Sequence, residues 1–231
     1  MPPLAQPDGS YGRCALKSNG KDTTTGHWEM AGIILEQAFP TYPNGFPQTI
    51  LDRFVAETHV PGILGNFAAS GTEIIKDLGA EHVATGKPIV YTSADSVFQI
   101  AAHEEIIPLK RLYEICETAR RILDGQHKVG RVIARPFLGE TGKFYRTENR
   151  HDYAVPPPRA NLLPALKDED LDVVCIGKIA SIYDSMGVTE DLTGEEQSAV
   201  YRSNDSGADP GHARFDLFEP GGFRHALWPP P

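Results

Sequence analysis

Pro88-Ile89-Val90-Tyr91-Thr92-Ser93-Ala94-Asp95-Ser96-Val97-Phe98-Gln99-Ile100-Ala101-Ala102 decides the fold class. Two runs rich in β-branched and aromatic residues, Pro88–Thr92 and Val97–Ala102, flank a short polar turn, which predicts two strands. Downstream, Leu112, Ile115, Cys116, Ala119 and Ile122 recur at helical spacing, so 109–123 is expected to be an amphipathic helix. Val129-Gly130-Arg131-Val132-Ile133-Ala134 reads as a further strand, with an arginine inside it. Upstream, Ile50, Leu51, Phe54 and Val55 predict a helix over 48–58, entered through an Asn44-Gly45-Phe46-Pro47 turn. Gly62-Ile63-Leu64-Gly65 reads as a short buried strand. Ser70-Gly71-Thr72-Glu73 has the spacing of a capping box before a helix striped by Ile74, Ile75 and Leu78. Asp172-Val173-Val174-Cys175-Ile176-Gly177 is a late strand. Strands alternating with helices predict an α/β fold.

The chain has 231 residues, of which 40% are hydrophobic and 23% charged, as in a folded globular protein with a substantial core. A formal net charge of −9 argues against a nucleic-acid partner, which needs clustered positive charge. No apolar run reaches the length of a membrane span, and the first residues do not read as a signal peptide. The expectation is therefore a cytoplasmic protein with neither a membrane nor a nucleic-acid partner. Three widely spaced cysteines, Cys14, Cys116 and Cys175, suit a reducing compartment, the latter two as buried inert thiols.

Reactive chemistry concentrates in Gly20-Lys21-Asp22-Thr23-Thr24-Thr25-Gly26-His27-Trp28-Glu29. Such a run reads either as a phosphate-handling loop with a nucleophilic threonine or as a polar turn capping a helix. Trp28 and Glu29 support the loop in either case. Asp95, in a loop after a strand, suits hydrogen bonding to sugar hydroxyls or closure of an Asx turn. Arg131 and Arg135 in an apolar strand each require a partner, either a phosphate held bidentately or a structural carboxylate. Arg146, Arg150 and His151 read as a solvated polar cluster. Lys178 follows a strand end, as a point charge for phosphate or a plain surface lysine. His103-Glu104-Glu105 lacks the His spacing of a zinc-protease helix and reads as structural.

Several long strings occur together: GKDTTTGHWEM at 20–30, GFPQ at 45–48, ASGTEI at 69–74, IVYTSADSVFQIAAHEE at 89–105, GRVIARPF at 130–137, NRHDYA at 149–154 and IGKIASIYD at 176–184. Over roughly residues 10–190 the chain resembles the phosphopentomutase family of the alkaline-phosphatase-like superfamily. The resemblance implies a family-type α/β cap domain over 39–158. It is flanked by incomplete remnants of an alkaline-phosphatase-like core at 1–38, with the nucleophile loop, and at 159–190. It implies interconversion of ribose 1-phosphate and ribose 5-phosphate, and of the deoxyribose pair. The route is a phosphothreonine and a sugar bisphosphate that serves as activator and intermediate. Thr23 matches the phosphorylated threonine. Ser93, Asp95, Arg131, Ile133 and Lys178 match sugar-phosphate contacts, with Arg131 and Lys178 holding the substrate's other phosphate. Two manganese ions are implied as cofactors and a pentose phosphate as the partner.

Two departures from the family pattern bear on the metals. The family opens on an apolar strand ending in a metal-binding Asp, and no such strand precedes Tyr11. Its downstream Asp-His-Gly stretch has no counterpart after Lys178. No metal ligand is assigned, and the chain by itself is expected to be inactive; the alternative is a non-catalytic sugar-phosphate-binding cap. Residues 191–231 are expected to be an irregular tail. One permitted back-translation of its end, read one base later, gives NLVDFDTLYGH, close to the family's downstream motif. That predicts a reading-frame change between Asn204 and Phe215 in a chain truncated at both ends.

Overall fold

Two sheets organise the residues that the computed structural model describes: 14–20, 22–157, 161–192 and, for the backbone alone, 214–218. In chain order the first elements are α1 (Thr23–Met30), α2 (Gln48–Thr58), β1 (Leu64–Ala68), α3 (Gly71–Thr85), β2 (Ile89–Thr92), β3 (Val97–His103) and α4 (Leu109–Ile122). Then come β4 (Arg131–Leu138), β5 (Tyr145–Arg146), β6 (His151–Ala154), α5 (Leu162–Asp168), β7 (Asp172–Ile176), α6 (Ile179–Ile182), β8 (Glu190–Leu192) and β9 (Arg214–Phe218). The mixture of sheet and helices is the expected α/β class.

The larger sheet runs β1-β2-β3-β4-β5, with β6 also on β4. β1 and β2 are parallel, as are β3 and β4, while β2–β3 and both partners of β4 on its other side are antiparallel. Side chains alternate across a strand. Val132 and Ala134 therefore share one face with Phe98, Ile100 and Val90, and that face is wholly covered by the apolar stripes of α2 and α4. Arg131, Ile133 and Arg135 share the opposite face with Val97, Gln99 and Tyr91, by registers Val97↔Arg131, Gln99↔Ile133 and Tyr91↔Gln99. Only part of this second face is roofed. Ile74 and Ile75 of α3 pack there with Leu64, Ile89, Tyr91, Ala101 and Phe137. The remainder is polar and open, and it floors the site described below.

Turn chemistry fixes β1. Gly65 and Asn66 both have positive φ, and the β1–β2 register shifts between Gly65 and Ala68. The Asn66 side chain accepts from Phe46 N at 2.7 Å and donates to Phe46 O at 3.1 Å. Gly45 faces it at φ +86°, where a Cβ would lie 2.1 Å from Asn66 O, so the Asn44-Gly45 turn needs its glycine. The strand read at 62–65 is thus displaced to Leu64–Ala68. The capping box does not form either: the Ser70 side chain makes no cap hydrogen bond.

The smaller sheet is β8-β7-β9, all parallel. Val173 and Cys175 of β7 pack with Ile179, Ile182 and Tyr183 against Trp28, Ile33 and Leu163. The expectation of an irregular tail differs from the structure at two points: β8 reaches Leu192, and β9 pairs along the whole length of β7. Most of the segment assigned a reading-frame change, and all of 219–231, lies outside the described residues. No described helix is long and apolar enough to cross a membrane.

Candidate functional site

α1 begins at Thr23 because Asp22 caps it. The Asp22 carboxylate accepts from Thr25 N at 3.0 Å and from Thr25 Oγ1 at 2.6 Å. The helix is then anchored from below. Trp28, 1% exposed, donates through its indole to Ile182 O at 3.0 Å and meets Phe39 edge-on at 5.7 Å. Tyr183 Oη donates to His27 O. Glu29 accepts from Lys17 N at 2.8 Å and Ser18 N at 2.6 Å, and hydrogen bonding, first from the Ser18 side chain, holds its carboxyl below the usual range. Asp22, Trp28, Tyr183 and Glu29 thus fix the pose of the helix that carries Thr23. The capping and nucleophile-loop readings are compatible: the same turn caps α1 and leaves Thr23 half-exposed at its first position.

Thr23 faces a cleft of about 260 Å³ between α1 and the open half of the larger sheet. Ser93, Asp95, Arg131, Ile133 and Lys178 line the same cleft, so all six residues singled out in the sequence meet there. Ser93 Oγ accepts from Asp95 N at 3.3 Å, and Asp95 O accepts from Val97 N at 3.0 Å, which shapes the β2–β3 turn. The Asp95 carboxylate takes no part in closing that turn. It stays exposed at the cleft rim.

The floor is strongly basic. Arg131 Nη1 donates to Asp152 Oδ2 at 3.1 Å. Arg150 donates to both oxygens of the same carboxylate at 2.6 Å. Burial alone would raise Asp152; the Arg150 hydrogen bonds and the charges of Arg150, Arg131 and Arg135 outweigh it and hold the carboxyl low. Arg135 has only a neutral acceptor, Gln99 Oε1, at 3.1 Å from its Nε. Burial, then the neighbouring Arg150, lowers its pKa. Lys178 stands exposed at the far wall, in no ion pair among the described residues. Four cations therefore face two carboxylates, in a chain whose net charge is −9. That arrangement selects anions.

Arg150 and the start of α3 also line the cleft, although the sequence reads them as part of a solvated cluster and as a helix cap; Arg150 is instead half-buried on Asp152. The signal for Arg135 was there, in the period-two spacing Arg131-x-Ile133-x-Arg135. Arg150 carried none, because the antiparallel pairing of β6 with β4 brings it in. The remaining candidates are structural. His103 contacts Gly139 O through Nε2 at 3.0 Å, and Glu104 accepts from Asn149 Nδ2 at 3.1 Å and from Thr147 Oγ1. Cys116 and Cys175 are buried, and burial pushes the Cys175 thiol up to about 12.

The donors beside Thr23 do not suit a metal pair. Asp22 spends both oxygens on Thr25, and His27 Nδ1 lies 2.8 Å from Thr23 O. Among the described residues no group of three or more His, Cys, Asp or Glu side chains gathers. The two manganese ions implied by the resemblance therefore find no fitting donor set there.

No protein-family model matches the chain. Curated relatives do. The phosphopentomutase of Desulfitobacterium hafniense (strain DSM 10664 / DCB-2) is 62% identical over 190 residues, covering 82% of this chain and 49% of that protein. The phosphopentomutase of Clostridium novyi is 56% identical over 208 residues, 87% of this chain and 53% of its own length. That of Symbiobacterium thermophilum is 53% identical over 221 residues, 95% and 54% respectively. The chain spans about half the length of the curated relatives it matches.

Proposed function

The chain belongs to the phosphopentomutase family over the residues it shares with those relatives, and from that premise we propose that it carries the nucleophile and the sugar-phosphate-binding half of a phosphopentomutase site. The reaction is interconversion of (deoxy)ribose 1-phosphate and (deoxy)ribose 5-phosphate. In this reading, residues 39–158 are the substrate-binding cap, while 1–38 and 159–190 belong to the core that presents Thr23 and Lys178. One observation carries it: Thr23, Ser93, Asp95, Arg131, Ile133 and Lys178 share one basic cleft.

Each residue has a task that its surroundings suit. Thr23 bears the phosphoryl group at the first position of α1, where free N–H groups and the helix dipole favour negative charge. Arg131 and Lys178 take the phosphate of the incoming sugar. Ser93 and Asp95 orient its hydroxyls, and Ile133 lies under the ring. The phosphoryl group leaves Thr23 Oγ1 for the free hydroxyl of the bound monophosphate. One P–O bond breaks as another forms, and the hydroxyl proton departs to solvent. The resulting bisphosphate turns and returns its other phosphate to Thr23. Such transfer rests mostly on positioning and charge neutralisation. Two manganese ions would add neutralisation at the attacking and leaving oxygens, and the described residues offer them no seat. We therefore read this chain alone as a binder of pentose phosphates without turnover.

Calorimetry with ribose 5-phosphate, without metal, tests the binding half. The intact chain binds, and Arg131→Ala weakens it by about 10- to 100-fold, as befits a lost charged hydrogen bond. Absence of measurable binding by the intact chain refutes the reading. Interconversion of the two ribose phosphates by the purified chain with manganese and a bisphosphate activator refutes the claim of no turnover.

A further inference from the structure

The Arg135 corner of the cleft is built for a second anion. Arg135 lies four residues along β4 from Arg131, roughly 13 Å at strand rise, and both point to the same face. Ile133, 2% exposed, lies between them. Arg131 already shares Asp152 with Arg150, whereas Arg135 hydrogen-bonds Gln99 and feels Asp152 only from beyond ion-pair distance among the described residues. A half-buried guanidinium without a direct ion pair is costly unless an anion completes it.

The start of α3 lines the same cleft, through Ala69, Ser70 and Gly71. α3 is a 15-residue helix whose N-cap Ser70 contributes no side-chain hydrogen bond, so the first N–H groups of the helix lack that partner. Gly71 has no Cβ to obstruct them; one built there would lie 2.7 Å from Tyr91 Oη and 3.8 Å from Arg146 Nη1. Tyr91 is an independent sign. It is fully buried, and its hydroxyl, directed at this first residue of α3, has no hydrogen-bond partner among the described residues. Arg135, Arg146 and Arg150 all lie close enough to act on it electrostatically. A guanidinium without a direct ion pair, an uncapped long helix and an orphaned hydroxyl thus converge on one corner.

We propose that Arg135 and the N-terminus of α3 form a second phosphate subsite, which retains a pentose bisphosphate in the cleft while it turns. This rests on the reading of the cleft given above and extends it. A monophosphate is held by Arg131 and Lys178 alone. The bisphosphate carries a second dianion, and the Arg135 corner supplies matching charge for the phosphate that leaves Thr23 as the sugar turns. The cleft therefore holds the bisphosphate more tightly than either monophosphate, as retention between the two transfers of the family reaction requires.

Titrations of the full chain with ribose 5-phosphate and ribose 1,5-bisphosphate test this. The bisphosphate binds at least about tenfold more tightly, one charge-assisted contact being worth that much. Arg135→Gln removes the difference and leaves monophosphate affinity within about twofold. Tyr91→Phe, which deletes only an unpartnered hydroxyl and so preserves the fold, weakens the bisphosphate selectively. In the unaltered chain, amide NMR shifts of Gly71 and Thr72 move with the bisphosphate and stay in place with the monophosphate. Equal affinity for the two ligands, or an Arg135→Gln variant that loses both alike, overturns the subsite and leaves the monophosphate site standing. Failure of both ligands to bind the unaltered chain removes the underlying reading and the subsite with it.

Discussion

Thr24 sits beside the proposed nucleophile and is 1% exposed, yet its hydroxyl has no partner among the described residues. A buried hydroxyl without a hydrogen bond is a net cost. Thr24→Val keeps the β-branched shape and removes that cost. The expected outcome is a gain of about 1 kcal/mol, seen as a rise of about 2–4 °C in the melting temperature. A lower melting temperature would show that the hydroxyl has a use. Thr25 is the contrasting case. It bonds Asp22 through both its N–H and its hydroxyl, so Thr25→Val strips the cap of a partner. A loss of about 1 kcal/mol is expected, read by urea denaturation. Three consecutive threonines thus divide into a half-exposed one facing the cleft, an unsatisfied one and a structural one. Their identical chemistry hid this division in the sequence, because helix phase and neighbours decide it.

At the scale of elements, β3 and α3 are joined through histidines. His82 of α3 is fully buried; its Nδ1 lies 2.7 Å from Lys87 O and its Nε2 accepts from His103 N at 2.8 Å. An accepting Nε2 requires the neutral ring. Burial lowers the His82 pKa, and this outweighs the raising effect of the Lys87 bond. The unfolded chain binds this proton near the ordinary histidine value of about 6.5 and the folded chain does not. The stability it contributes is therefore full above about pH 6.5 and is lost as the pH falls from there toward the depressed folded value. Denaturant midpoints measured from pH 7.5 to 5 should decline, and His82→Gln should flatten that decline. Elements with a strong period, such as α4 and the β2–β3 pair, were legible because burial dictates their residue pattern. The start of β1 was not, since it depends on Asn66 reaching back to the Asn44–Phe46 turn. Nor was β9, since its place in the smaller sheet comes from pairing with a strand about forty residues upstream in a stretch without periodicity. For the cleft, residue types at strand ends pointed to Asp95 and Lys178 and the family resemblance alone to Ser93 and Ile133, whereas only the folding of β6 onto β4 reveals Arg150 as a wall.

For the whole molecule, the described residues bring Thr23, the proposed nucleophile, and the basic floor together without a metal-ligand cluster. Purified chain dialysed against manganese should accordingly hold well below one ion per chain by elemental analysis. Two tightly held ions would overturn that view. The shared carboxylate of Asp152 has a wider consequence. Being divided between Arg131 and Arg150, it acts as a counterweight that weakens the pull of the cleft on any passing anion. A guest must offer hydroxyls and an apolar ring as well as charge before it displaces bulk salt. With Asp152→Asn that restraint disappears, and the mutase-like cleft becomes an indiscriminate trap for sulfate and inorganic phosphate.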